Sequence, residues 1–142
     1  MARTATAAWR GTLKDGDGDM ALGSGSFEGR FGFQSRFEDG PGTNPEELIG
    51  AALAGCYSMQ LGAQLEREGS PADSIETEAK VHLRRGDAGP YVERIELTAR
   101  ASVPGIEPSK FDETAQSAKQ NCLIHKALAG VETITLDATL ES

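Results

Sequence analysis

The chain has 142 residues, with 14 Lys plus Arg against 22 Asp plus Glu and a formal net charge of −8. That length suits one domain, residues 1–142, with a core of its own. The acidity argues against nucleic acid or an anionic membrane as partner, since both reward gathered Lys and Arg.

The N-terminal stretch MARTATAAWRGTLKD holds no apolar run of secretory length, so a cytoplasmic location is the expectation. Ala5, Ala7 and Trp9 alternate with polar residues as in a strand, and DGDGD reads as the turn that follows. In RFGFQSRF, residues 30–37, strand alternation puts Phe31, Phe33 and Phe37 on one face and Arg30, Gln34 and Arg36 on the other. After the loop EDGPG, Asn44 can cap a helix, Pro45 suits its first position, and Glu47 stands where a capping-box carboxylate reaches back. This helix is expected to run to about Glu68 and stop at Gly69.

Residues 48–65 are uncharged, but Gly50, Gly55, Gly62, Ser58, Gln60 and Gln64 make poor lipid-facing material. The run reads as a buried helix. Residues 75–84 alternate without a break, GDAGP turns the chain, and Tyr91 to Val103 completes a hairpin. Ser109 can cap a helix carrying Phe111, Ala115, Ala118 and Cys122 on one stripe. A further turn or two holds Leu128, and ITLDATL is the last strand. Strands, a long helix, a hairpin, helices and a strand make an α+β fold. A single sheet covers only one side of a helix that is apolar nearly all round, so a homodimer with its central helices packed between two sheets is expected.

The two cysteines, Cys56 and Cys122, can be a structural disulfide, inert core thiols or a redox pair. A reducing compartment disfavours the first. Free cysteine is a common small core residue, so neither thiol alone is informative. Arg36 sharpens the case, because a guanidinium near a thiol favours thiolate and its fork can hold an oxygenated substrate; a lone strand arginine is otherwise simply solvated. Asn44 and Glu47 suffice to cap the helix, which leaves Glu46 able to orient Arg36 or merely to face the helix dipole. Ten residues separate Glu46 from Cys56, roughly 15 Å of straight helix, so the carboxylate does not reach the thiol unaided. Cys122 and His125 have a C-x-x-H spacing, yet only His82 and Cys56 remain to complete a zinc set, and no metal site is expected.

The segment SRFEDGPGTNPEELIGAALAGCYSMQL closely resembles the signature of the osmotically inducible protein C (OsmC) family, relatives of the organic hydroperoxide resistance proteins. IETEAKVHL, SVPGIEPSKFDE and AKQNC are similar to that family at the expected places, so the resemblance spans essentially the whole chain. The Arg-Phe-Glu segment and the VPGI turn look more like the OsmC branch. The resemblance implies a thiol-dependent peroxidase for organic hydroperoxides, built as an intertwined homodimer and needing no metal or bound cofactor. It assigns Cys56 as peroxidatic and Cys122 as resolving cysteine, Arg36 as the arginine that activates the thiolate, and Glu46 as the carboxylate that holds it. It also implies a dithiol reductant borne by a lipoyl protein. Leu123 and His125 depart from the pattern after the second cysteine, where the family often has Pro and then a small or polar residue. A redox sensor or a small-molecule carrier on the same fold are the alternatives, and turnover separates them from the enzyme.

Overall fold

The computed structural model describes residues 1–141, and the chain forms two compact units, Met1–Leu48 and Ile49–Ser142. The first unit is built on an antiparallel sheet of β1 (Ala5–Arg10), β2 (Asp17–Leu22) and β3 (Glu28–Phe31), in that order. Three of the five residues of DGDGD, Asp17 to Asp19, are therefore strand, with Asp17 and Asp19 paired to Arg10 at 2.6 Å each. No large apolar side chain among the described residues of this unit is fully buried, and β1 is exposed along its whole length.

The strand expected over residues 30–37 ends at Phe31. Residues Phe33–Phe37 form a short helix, α1, and so Arg36 is helical. Local hydrogen bonding explains the change. The Gly32 N–H donates to Ser35 Oγ at 2.9 Å, Ser35 Oγ donates back to Gly32 O at 3.2 Å, and the Arg36 N–H closes the turn on Gly32 O at 3.1 Å. Phe33 and Phe37 still share a face, but as i and i+4 neighbours with ring centroids 5.2 Å apart.

Beyond α1 the chain returns beside β3, where the Thr43 N–H donates to Arg30 O at 2.7 Å. Gly42 makes this approach possible. Its φ is +113°, and a Cβ there would lie 2.6 Å from Arg30 O. The long helix α2 (Pro45–Arg67) then begins as expected, with Asn44 Oδ1 accepting from the Glu47 N–H at 2.8 Å. Glu47 reaches back to side chains, accepting from Thr43 Oγ1 and Asn44 Nδ2, and so does not close a capping box on the backbone. The helix stops at Gly69, with the Ser70 N–H donating to Leu65 O at 2.9 Å. No helix of the described residues is long and apolar enough to cross a membrane.

The second unit carries the core. β4 (Ser74–Gly86) and β5 (Gly89–Ser102) form the expected hairpin, and β6 (Thr133–Glu141) lies parallel to β5 on its other side. Alternation sends Ile75, Ala79, Val81, Ile95, Leu97, Ala99 and Ile134 toward the core, while Glu76 and Arg100 pair at 2.8 Å on the wet face. Leu53, Tyr57, Leu61 and Leu65, spaced by four on α2, are fully buried in that core with Phe111, Ala115 and Ala118 of α3 (Pro108–Asn121). Gly50 lets α2 sit close on β4, since a Cβ there would stand 3.2 Å from Val81 Cγ2.

The cap expected at Ser109 is displaced: Glu107 holds the N-cap position and Pro108 the first helical position, where its fixed φ fits. A short helix, α4 (Leu123–Ala127), follows Cys122 and precedes β6. The full burial expected for the long helix is not reached within one chain. Ala51, Ala52, Gly55 and Met59 on its outer side are exposed, Met59 by 79%.

Candidate functional site

The structure brings the expected site residues together as two pairs, each inside one unit. In the first, Arg36 Nε and Nη2 both donate to Glu46 Oε1, at 3.0 and 2.8 Å. The pairing is set by local chemistry: Asn44 caps α2 with its oxygen while its Nδ2 donates to Ser35 O at 3.0 Å, tying α1 to the start of α2. Glu46 is nearly buried, with 11% of its side chain exposed, whereas Arg36 is 41% exposed. Water screening holds such a pair to on the order of 1 kcal/mol or less. Its chief effect is to hold the guanidinium in one orientation. Arg36 Cζ also lies 5.2 Å from the centroid of the Phe37 ring, a cation–π contact. Glu46 Oε2 is buried and has no hydrogen-bond partner among the described residues.

The second pair is Cys56 and Cys122. Cys56 is half-buried on α2, one position before the core residue Tyr57; Cys122 is fully buried at the junction of α3 and α4. Cys56 is near enough to Cys122 to act on its thiol. Burial, then the hydrogen bond with Cys56, pushes the Cys122 thiol up, against backbone N–H groups of His125 and Ile124 that pull it down. Leu123, one of the departures from the family pattern, is exposed, and His125 is half-buried with its imidazole held below its usual range by burial and by Lys119. His82 hydrogen-bonds Glu96 across the hairpin. Among the described residues no three His, Cys, Asp or Glu side chains gather as metal ligands.

Several contributors were not singled out from sequence. Tyr57 is fully buried and donates to Ala115 O at 3.0 Å, bracing α2 on α3 next to the cysteine pair. Gln64 adds a second tie, donating to Ser117 Oγ and accepting from Asn121 Nδ2. The four-residue spacing from Leu53 could have identified Tyr57 as core. Its hydroxyl partner, 58 residues away, had no sequence signal. In the first unit, Trp9 and Leu13 join Phe31, Phe33, Arg36 and Phe37 around an apolar pocket of about 270 Å³.

Tyr57 and Cys122 together predict a loss of stability in alkali. Burial, with the Cys122 charge second, pushes the Tyr57 phenol well above its ordinary value. Both groups thus stay protonated in the folded chain at pH values where the unfolded chain releases their protons, and stability falls as pH rises above roughly 8.5. Urea unfolding of the reduced protein from pH 7 to 10.5 should show this decline. Tyr57→Phe, weaker by about 1 kcal/mol at pH 7 for the lost hydrogen bond, should close the gap to wild type as pH rises. A gap that stays constant contradicts the assignment.

The family model described as OsmC-like protein matches residues 38–137. The chain is 44% identical over 137 residues to the peroxiredoxin OsmC of Escherichia coli strain K12, covering 96% of this chain and 94% of that protein. It is 26% identical over 109 residues to the uncharacterized protein YmaD of Bacillus subtilis strain 168, covering 72% and 73%. Among solved structures, an OsmC-like protein from Mycoplasma pneumoniae superposes with a TM-score of 0.77 at 15% identity, covering 100% of this chain and 99% of that one. The organic hydroperoxide resistance protein OhrB of Bacillus subtilis gives 0.68 at 22% identity, covering 97% and 98%. The order of N-terminal strands, long helix, hairpin, helices and last strand is the fold of these proteins, and the chain belongs to the OsmC family.

Proposed function

We propose that this protein is a thiol-dependent peroxidase that reduces organic hydroperoxides to alcohols. The observation that carries the proposal is the half-buried Cys56 thiol beside the buried Cys122 thiol, near enough to raise its pKa. The 44% identical relative named a peroxiredoxin supports it.

In the first step Cys56 thiolate attacks the distal oxygen of the hydroperoxide. An S–O bond forms, the O–O bond breaks, and the alkoxide takes a proton and leaves as alcohol, with Cys56 oxidised to sulfenic acid. Cys122 then attacks the Cys56 sulfur. An S–S bond forms, the S–O bond breaks, and the hydroxide leaves as water after taking a proton. An external dithiol reopens the disulfide by exchange and becomes a disulfide itself, which returns both thiols. A lipoyl-bearing protein fits this last step.

Cys56 sits mid-helix, where the helix dipole contributes little. Arg36, held by Glu46, supplies the positive charge that favours the thiolate and the developing alkoxide. Since Glu46 engages only Nε and Nη2, Nη1 remains for an incoming oxygen.

The working unit in this proposal is a homodimer. The exposed outer row of α2, together with the absence of a fully buried large apolar side chain among the described residues of the first unit, supports a second copy as the cover. Sedimentation velocity should give twice the 15.0 kDa chain mass, with Met59→Asp shifting the protein toward monomer. A monomeric wild type at tens of micromolar sinks the dimer.

With dihydrolipoamide as reductant, wild type should consume cumene hydroperoxide over many turnovers and hydrogen peroxide more slowly. Cys56→Ser should abolish this, and Arg36→Ala should lower kcat/KM by about a hundredfold or more while shifting the urea midpoint little. No turnover in wild type would remove the peroxidase reading, and near-normal turnover in Arg36→Ala would remove Arg36 from the mechanism.

A further inference from the structure

We infer that Gln64 is a positioning residue for the disulfide step: it ties the last turn of α3 to α2 and so holds Cys122 beside Cys56. Its part in catalysis rests on the peroxidase reading, whereas the tie itself is a feature of the chain with both cysteines free.

One side of the seam between α2 and α3 is polar. Just past the end of α2, Glu68 Oε2 accepts from the Thr114 hydroxyl at 2.7 Å. One turn back along α2, Gln64 Nε2 donates to Ser117 Oγ at 3.1 Å, and Gln64 Oε1 accepts from Asn121 Nδ2 at 3.2 Å. The same Oε1 accepts from Gln60 Nε2 at 2.9 Å, and Asn121 Nδ2 lies 3.3 Å from Ser117 Oγ. Gln64 thus engages both ends of its amide, and it does so buried, at 7% exposure. Asn121 closes α3 and Cys122 follows it directly, while Gln60 stands one turn beyond Cys56 on α2. The thiol pair is the next rung of this seam.

Such a seam adds register. Apolar contacts are non-directional and tolerate some sliding of one helix along another. An amide hydrogen-bonded at both ends does not. A slip of one residue moves a helix by roughly 1.5 Å. A disulfide needs its Cβ atoms about 3.8 Å apart, and departures are stored as strain. Little else fixes the chain at this point. Tyr57 braces α3 at Ala115, two turns before Cys122, and no residue of α4 is fully buried. Among the described residues, the Asn121–Gln64 bond is the last side-chain hydrogen bond before Cys122.

Two variants test the tie. Gln64→Met nearly keeps the side-chain volume and removes the amide. Asn121→Ala removes its partner at an exposed position, where substitution is well tolerated. Each reduced protein is equilibrated with mixtures of reduced and oxidised glutathione, quenched in acid and alkylated. Intact mass then gives the fraction carrying the Cys56–Cys122 disulfide. In this exchange the two protein thiols lose their hydrogens as one oxidised glutathione becomes two reduced ones, so no peroxide is needed. The equilibrium constant for forming the disulfide should fall about threefold to tenfold in each variant. The double variant should fall no further than the deeper single one, because both remove the same tie. A merely structural role would lower the urea midpoints of the reduced and oxidised forms alike and leave the constant unmoved, and that result overturns the inference. A fully additive fall in the double variant overturns it too, since Gln64 would then not act through Asn121. A lowered constant in a protein that never turns over hydroperoxide would keep the tie and sink the peroxidase reading; turnover with an unmoved constant would do the reverse.

Discussion

The seating of one helix face governs the chemistry of the second unit. Leu53, Tyr57, Leu61 and Leu65 recur every fourth residue of α2 and are buried without remainder. At about 1.5–3 kcal/mol for each large apolar side chain removed from water, this stripe dominates the placement of the helix. Cys56 stands beside the stripe, so its depth is set by its neighbours. Cys122 ends the matching stripe of α3, and the Tyr57 hydroxyl on Ala115 O locks the two helices at the level where the thiols meet. Half-burial of Cys56 and full burial of Cys122 then follow from position along two helices. The proposed mechanism, in which Cys56 meets an apolar peroxide and Cys122 does not, is in keeping with that difference.

The electrostatic half of the site depends on short-range backbone chemistry. Gly32 and Ser35 fold residues 33–37 into a turn of helix, Gly42 lets the chain pass against Arg30, and Asn44 joins α1 to the start of α2. Arg36 and Glu46, ten positions apart, come into register through those three devices. The ion pair adds little stability because its guanidinium is wet. It adds a defined direction for a positive charge, set among the apolar side chains Trp9, Leu13, Phe31, Phe33 and Phe37.

Much of this was legible in the residues. The Asn44-Pro45 helix start and the Gly69 stop depend on local rules, and each stands close to where those rules put it. The alternation expected over 75–84 holds only to Val81, because a β-bulge between His82 and Leu83 shifts the register and leaves Leu83 exposed. The family resemblance held as well, and with it the strand–helix–hairpin–helix–strand order. Period alone failed over 30–37. Phe31, Phe33 and Phe37 fit a strand, while two of them fit a helical turn equally well, and the deciding hydrogen bonds run through Ser35 Oγ. Ser109 failed as a cap because Pro108 claims the first helical position ahead of it. The nearness of the thiols, the Tyr57 brace and the assembly of Trp9 with the phenylalanines are long-range outcomes of packing, for which one sequence carries no periodic signal.

The central claim is that Cys56 takes oxygen from a hydroperoxide and passes the oxidation to Cys122. Its most direct test is intact-mass analysis of the reduced protein after one equivalent of cumene hydroperoxide, beside the Cys122→Ser variant. The account predicts that wild type loses two hydrogen atoms and yields a single Cys56–Cys122 linked peptide. The variant should instead gain one oxygen atom on Cys56, trapped by a sulfenic acid reagent. Wild type that keeps both thiols, or oxygen found on Cys122 with Cys56 untouched, would contradict it.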